Sequence, residues 1–176
     1  NLLRTIRLDL SDTFVFEKAA APGEWAVSGA FEFWDRDPAT LEGKARSAFR
    51  GGFLGVDSLG RSTLVQIVEA DQSDREKIVD LLARRLMAHF GAPDMAAAGA
   101  AAEEEVAFAE SLCSQPQDTL VAVHRTFADG AVHETFRSLR PREGQKPARA
   151  FSFLEVEGEG EEPGETVNLI GMAGRE

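Results

Sequence analysis

Few residues of this chain have the types and spacing that chemistry needs. Two of its three histidines, His124 and His133, lie in the stretch VHRTFADGAVHETF, Val123 to Phe136. The block VHRTF is nearly repeated as VHETF after ADGA. Two histidines so placed raise a shared metal or a polar binding strip. The Asp129-Gly130 pair is a strong signal for a type I′ hairpin. A two-residue loop there sets Ala128 against Ala131, Phe127 against Val132, Thr126 against His133, Arg125 against Glu134, His124 against Thr135 and Val123 against Phe136. Alternation then sorts the side chains onto two faces. One carries Val121, Val123, Phe127, Val132 and Phe136 with the Arg125–Glu134 pair. The other carries Ala122, His124, Thr126, His133, Thr135 and Arg137. The histidines are diagonal neighbours, about 7–8 Å apart at Cα, which puts a shared metal within reach. A zinc site takes three or four ligands, and that face supplies no third one. The strip His124, Thr126, His133, Thr135 and Arg137 is therefore read as a ligand-binding candidate, with Arg137 a charge-assisted donor for an anion. Strand pairing alone accounts for the near-repeat.

The other reactive types are weaker candidates. Cys113 could act as a nucleophile with His124 or His133 as its base. It falls near a helix C-terminus, which raises a thiol pKa, and on an apolar stripe, so a small buried hydrophobe is expected. Glu103, Glu104, Glu105 and Glu110 lack the histidine three residues on that carboxylate-bridged helix sites use. Successive glutamates also point in different directions, and a solvated face is expected. His89, in a last helical turn, suits the helix dipole. The glycines of RGGFLGVDSLGRS match neither phosphate-loop spacing, and Ser58 has no nucleophile elbow around it. Trp25, Phe31, Phe33 and Trp34 form an aromatic group whose readings are core, pocket or subunit surface. No catalytic residue, metal or cofactor is expected.

These residues must be held by elements that the patterning outlines. LLRTIRLDL alternates as a half-buried strand, TFVFEKA is rich in β-formers, and EWAVSGAFEFW reads as a strand whose Gly29 marks a bulge or a close backbone approach. Asp37 before Pro38 starts a helix to about Arg50. Phe53–Val56 and Thr63–Glu69 are strands around a Ser58–Gly60 turn. Ser73 and Glu76 suggest a capping box for a helix with Ile78, Leu82, Leu86 and Phe90 on its apolar stripe and an Asp80–Arg84 pair. Asp94 caps a third helix, with Ala102, Val106, Ala109 and Cys113 on one face. Antiparallel strand pairs flanking about three helices packed on one side make an α+β fold. The expected organisation is one α+β domain over residues 1–140. An acidic extension over 141–176 follows, built as a β-hairpin (ARAFSFLEVEG and ETVNLIG) attached to the domain or to a partner.

Composition narrows the function classes. The 176 residues carry a net charge of −11, with no basic stripe of the kind nucleic acid needs, and anionic membranes are disfavoured for the same reason. Residues 151–176 hold seven acids and one base. No apolar run reaches the roughly 20 residues of a membrane span, and no secretory leader is expected. A single cysteine suits the cytoplasm, and 15 arginines to 4 lysines suit a GC-rich bacterial genome.

The blocks LLRTIRLDLSDTFVFE, AFRGGFLGVDSLGRSTLV and TLVAVHRTFADGAVHETF resemble an uncharacterised alphaproteobacterial protein family of unknown function, over most of the chain. The resemblance implies no activity. The expectation is a non-enzymatic accessory or subunit protein, acting through contacts with a protein partner or a second copy. The alternative is a small-molecule binder, or a weak enzyme, that uses the polar face of the 119–140 hairpin.

Overall fold

A computed structural model of the chain describes residues 1–141 and 154–157. Among them the elements run β1 (Leu2–Ile6), α1 (Ser11–Val15), β2 (Trp25–Val27), α2 (Gly43–Gly51), β3 (Phe53–Gly55), β4 (Arg61–Ser62), β5 (Leu64–Val68), α3 (Gln72–His89), α4 (Met95–Ser111), β6 (Leu120–Ala128), β7 (Ala131–Pro141) and β8 (Leu154–Glu157). The strands form one sheet in the order β4-β3-β2-β1-β5-β6-β7-β8, and every neighbouring pair is antiparallel. The three longer helices give the α+β architecture that the patterning implies. Ile78, Leu82 and Leu86 of α3 and Ala98, Ala102, Val106 and Ala109 of α4 share a core with Leu3, Val27, Ile67 and Val121 of the sheet. Each fully buried Val, Leu or Ile side chain there contributes about 1.5–3 kcal/mol.

The β6–β7 register is the one expected, from Ala128↔Ala131 through Val123↔Phe136. Asp129 and Gly130 at the turn both have positive φ, 53° and 75°, as a type I′ turn requires. β8 pairs with β7 from Ser138↔Glu157 to Pro141↔Leu154, so LEVE is strand as expected. The ETVNLIG strand, the EGEEPGE link and most of the 141–176 extension lie outside the described residues.

Four local expectations are corrected. The β-rich TFVFEKA opens as helix α1, not a strand. Asp9 accepts from the Ser11 N–H at 2.8 Å, and buried Asp12 accepts from Thr63 at N and Oγ1. Those local bonds set a turn that outweighs β propensity. The strand expected to reach Trp34 stops at Val27, because Gly29 turns into the left-handed region at φ 71°. A Cβ on Gly29 would stand 2.5 Å from Leu54 Cβ, so the glycine is indeed a site of close approach. The chain then makes a 3₁₀ turn, Ala30–Phe33. The helix expected over 38–50 is broken. Asp37 caps a 3₁₀ turn, Pro38–Thr40, and α2 begins only after Leu41 has been drawn into a small core with Phe33 and Phe49. Helix α3 is capped two residues earlier than expected, by Asp71 with Asp74. Asp94 caps α4, and Asp80 and Arg84 pair at 2.8 Å, both as expected.

Candidate functional site

Two arginines are buried where strands meet helix α2. Arg125 stands on the inward face of β6 and is 1% exposed, and Arg61 on β4 is 5% exposed. A buried guanidinium needs acceptors for its whole fork of donors, and the C-terminal end of α2 supplies carbonyls that the helix itself leaves free. Arg125 Nη1 donates to Phe49 O at 3.1 Å and Gly52 O at 2.8 Å. Its Nη2 reaches Ser28 O at 2.5 Å and Ser28 Oγ at 3.1 Å. Arg61 Nη1 donates to the same Gly52 O at 3.1 Å, and its Nη2 to Gly29 O at 3.3 Å. The cations lie at the negative end of the α2 dipole, where positive charge is favoured.

Each arginine also holds one carboxylate. Arg125 Nε donates to Glu134 Oε1 at 2.7 Å, the cross-strand pair that the hairpin register demands, and Ser28 Oγ donates to the same oxygen. Arg61 Nη2 donates to Glu32, on the 3₁₀ turn after Gly29. Burial pushes both guanidinium pKa values down, and the paired carboxylates push back; arginine stays charged throughout.

A third carboxylate completes the cluster without a cation of its own. Glu105 of α4 points inward, and its Oε2 is buried with no hydrogen-bond partner among the described residues. Burial raises the Glu105 carboxyl from 4.5 to about 7. The Gly29 N–H opposes the rise, Glu134 adds to it, and Arg125 and Arg61 counter it. The solvated face expected for the glutamate run is thus corrected at this position. Glu103 does face out, pairing with Arg75 at 2.7 Å, and Glu104 is exposed. Glu105, however, follows Ala98 and Ala102 and precedes Ala109 at helical spacing, on the buried stripe. That spacing was the available signal.

Above these groups opens a cleft of about 1020 Å³. Its walls are the 3₁₀ turn with Trp34 to Arg36, the end of α3 with the α3–α4 loop, the Ala97, Ala101, Glu104, Glu105 and Phe108 face of α4, and Val132 and Glu134 of β7. Aromatic rings line it. Phe31 meets Phe90 edge to face at 5.1 Å, Phe108 meets Phe136 at 5.7 Å, and Trp34 is 73% exposed at the rim. The aromatic group read from the sequence is therefore divided. Phe33 is core, Trp25 lies under the Arg4 guanidinium at 3.7 Å, and Phe31 and Trp34 belong to the cleft.

The hairpin strip lies elsewhere. His124, Thr126, His133, Thr135 and Arg137 are all exposed, on the side of β6 and β7 opposite the Arg125–Glu134 pair. His133 Nε2 is 3.1 Å from Ala128 O. Among the described residues no group of three or more His, Cys, Asp or Glu is placed to hold a metal ion, and no helix is long and apolar enough to cross a membrane. Cys113 is half-buried and its thiol meets Ala109 O at 3.3 Å. Burial pushes that thiol up to about 11, the amino terminus opposing and Glu110 assisting. This is the character of a packing residue and not of a nucleophile.

Fold and site together describe an α+β protein whose sheet and helices enclose a charged, aromatic-lined cleft. The chain belongs to a family of unknown function, DUF6505, whose model matches residues 1–152. Neither a curated protein nor a solved structure matches it.

Proposed function

We propose that this protein binds a small molecule in the cleft between α4, β7 and the 30–36 segment. One observation carries the reading. A cavity of about 1020 Å³ with aromatic walls is lined by a carboxylate, Glu105, one oxygen of which is buried with no hydrogen-bond partner among the described residues. Ligand sites are concave and mostly apolar, with few convergent polar groups, and shifted carboxyl groups gather at functional sites. The test is ligand-observed NMR with a fragment library, on wild type and on Ala101→Trp. Ala101 is an exposed position of α4 that lines the cleft, so the indole fills the space at little cost to the fold. Fragments that bind wild type and lose the Trp variant support the reading. A library without binders, or binding indifferent to Ala101→Trp, contradicts it.

A second reading, an accessory protein acting through contacts, is favoured by a different surface. Leu8, Leu10, Phe14 and Val15 are 50%, 63%, 73% and 40% exposed within one short stretch, and clustered apolar exposure marks contact sites. The hairpin strip around His124 and His133 belongs to the same reading as a polar contact face. Light scattering of wild type and Phe14→Ser is its test. A monomer in both contradicts self-association. The single cysteine supports a cytoplasmic protein, arginine usage supports a GC-rich bacterial genome, and the family resemblance points to an alphaproteobacterium.

A further inference from the structure

We infer that the cleft takes an organic ammonium ion, a small molecule with a protonated amine on an apolar or aromatic body, and that Glu105 is its anchor. The inference rests on the cleft being the binding site and adds the chemistry of what it binds.

Charge at the cleft floor is the first support. Arg61 is matched by Glu32 and Arg125 by Glu134. Among the described residues Glu105 is the remaining carboxylate of the floor, so when ionised it leaves these groups one negative charge in excess. Its Oε2 has no donor among the described residues, and an ammonium N–H is the donor that satisfies both the charge and the lone pair. An anionic ligand would meet Glu105, Glu134 and Glu32 with both arginines already committed to carbonyls and carboxylates.

The walls are the second support. Phe31, Trp34, Phe90 and Phe108 line the same space, and aromatic faces attract cations and cover apolar bodies. The lining also includes Asp35 and Glu104 beside Arg36 and His89, so its acidic side chains are no fewer than its basic ones and the entrance does not repel a cation. A metal ion is the poorer occupant, because no set of three ligating side chains converges among the described residues.

The ammonium ion binds the ionised form of Glu105. Affinity therefore rises with pH through the range in which this buried carboxyl loses its proton. Glu134, Arg125 and Arg61 act on it from β7, β6 and β4, and the Gly29 N–H donates to it; Arg125 is paired with Glu134 and Arg61 with Glu32 on the 3₁₀ turn.

The experiment titrates the isotope-labelled full chain with phenethylamine, phenethyl alcohol and hydrocinnamate, three probes of one shape and different charge, at about pH 8 and about pH 5.5. The amine is expected to bind about tenfold or more tighter than the alcohol at the higher pH, the size of a charge-assisted hydrogen bond, with shifts at Phe31, Phe108 and Glu105. That advantage is expected to collapse at the lower pH and in Glu105→Gln, and to survive in His89→Gln. Alcohol or carboxylate binding in the cleft as tightly as the amine overturns the ammonium inference and leaves the cleft as a ligand site. If no probe moves a cleft residue, both fall.

Discussion

Replacing Glu105 by glutamine tests the physics of the site without any ligand. Burial holds this carboxyl at about 7 against an ordinary 4.5. At 1.36 kcal/mol per pKa unit, the ionised group costs the folded state about 3 kcal/mol once it is fully charged. The sign follows from proton binding. Between pH 4.5 and about 7 the folded chain keeps a proton that the unfolded chain has lost, so stability falls as pH rises through that window. Below it the cost is absent, and above it the cost is complete. Glutamine has the same shape and does not titrate. Its amide hydrogens bring a cost of about 1–3 kcal/mol if they stay unpaired, but that cost is the same at every pH. The informative quantity is therefore the difference between variant and wild type as pH changes. Urea unfolding followed by tryptophan fluorescence, Trp25 and Trp34 being the reporters, gives it across about pH 4 to 8. The variant should gain about 3 kcal/mol on wild type over that span. Parallel pH profiles for the two proteins would refute the idea of a buried carboxylate whose burial outweighs the groups that stabilise its charge.

Other outcomes follow from the same geometry. Arg125→Met takes the cation from Glu134 and a donor from the Ser28 and Phe49 carbonyls, and should cost about 3–5 kcal/mol in denaturant unfolding, with part regained when Glu134→Gln is added. Gly29→Ala puts a Cβ 2.5 Å from Leu54 Cβ at φ 71°, and a loss of about 2 kcal/mol or more is expected from strain and clash together, seen as a lower melting temperature. Alanine at both His124 and His133 should change stability by no more than about 0.5 kcal/mol, because both are exposed on the far face of the hairpin. Cys113, its thiol pushed up to about 11, should react with a thiol-specific disulfide reagent far more slowly in the native protein than in urea at about pH 8.

The hairpin could be read residue by residue because its rules are local. Asp129-Gly130 sets the turn, the turn sets the register, and the register brings Arg125 to Glu134. Helices α3 and α4 were legible from apolar spacing and from Asp94. The 28–42 region was not, since its path depends on Gly29 passing Leu54 and on Leu41 joining Phe33 and Phe49, contacts between residues far apart in the chain. The site hides for the same reason. Glu32, Arg61, Glu105 and Arg125 come from a 3₁₀ turn, two strands and a helix, and only the folded chain unites them. Glu105 was partly accessible, since it occupies a position on the α4 stripe where a carboxylate is costly. Read as one of three consecutive glutamates it looks solvated, whereas read at helical spacing from Ala98 and Ala102 it looks buried.

The most direct measurement is an NMR pH titration of the Glu105 side-chain carboxyl carbon, assigned by comparison with Glu105→Gln. A buried carboxylate that carries the cleft's surplus charge should titrate at about 7 and move downward when phenethylamine is added, because a bound ammonium favours the ionised form. A midpoint near the ordinary 4.5, unmoved by the amine, would contradict the account.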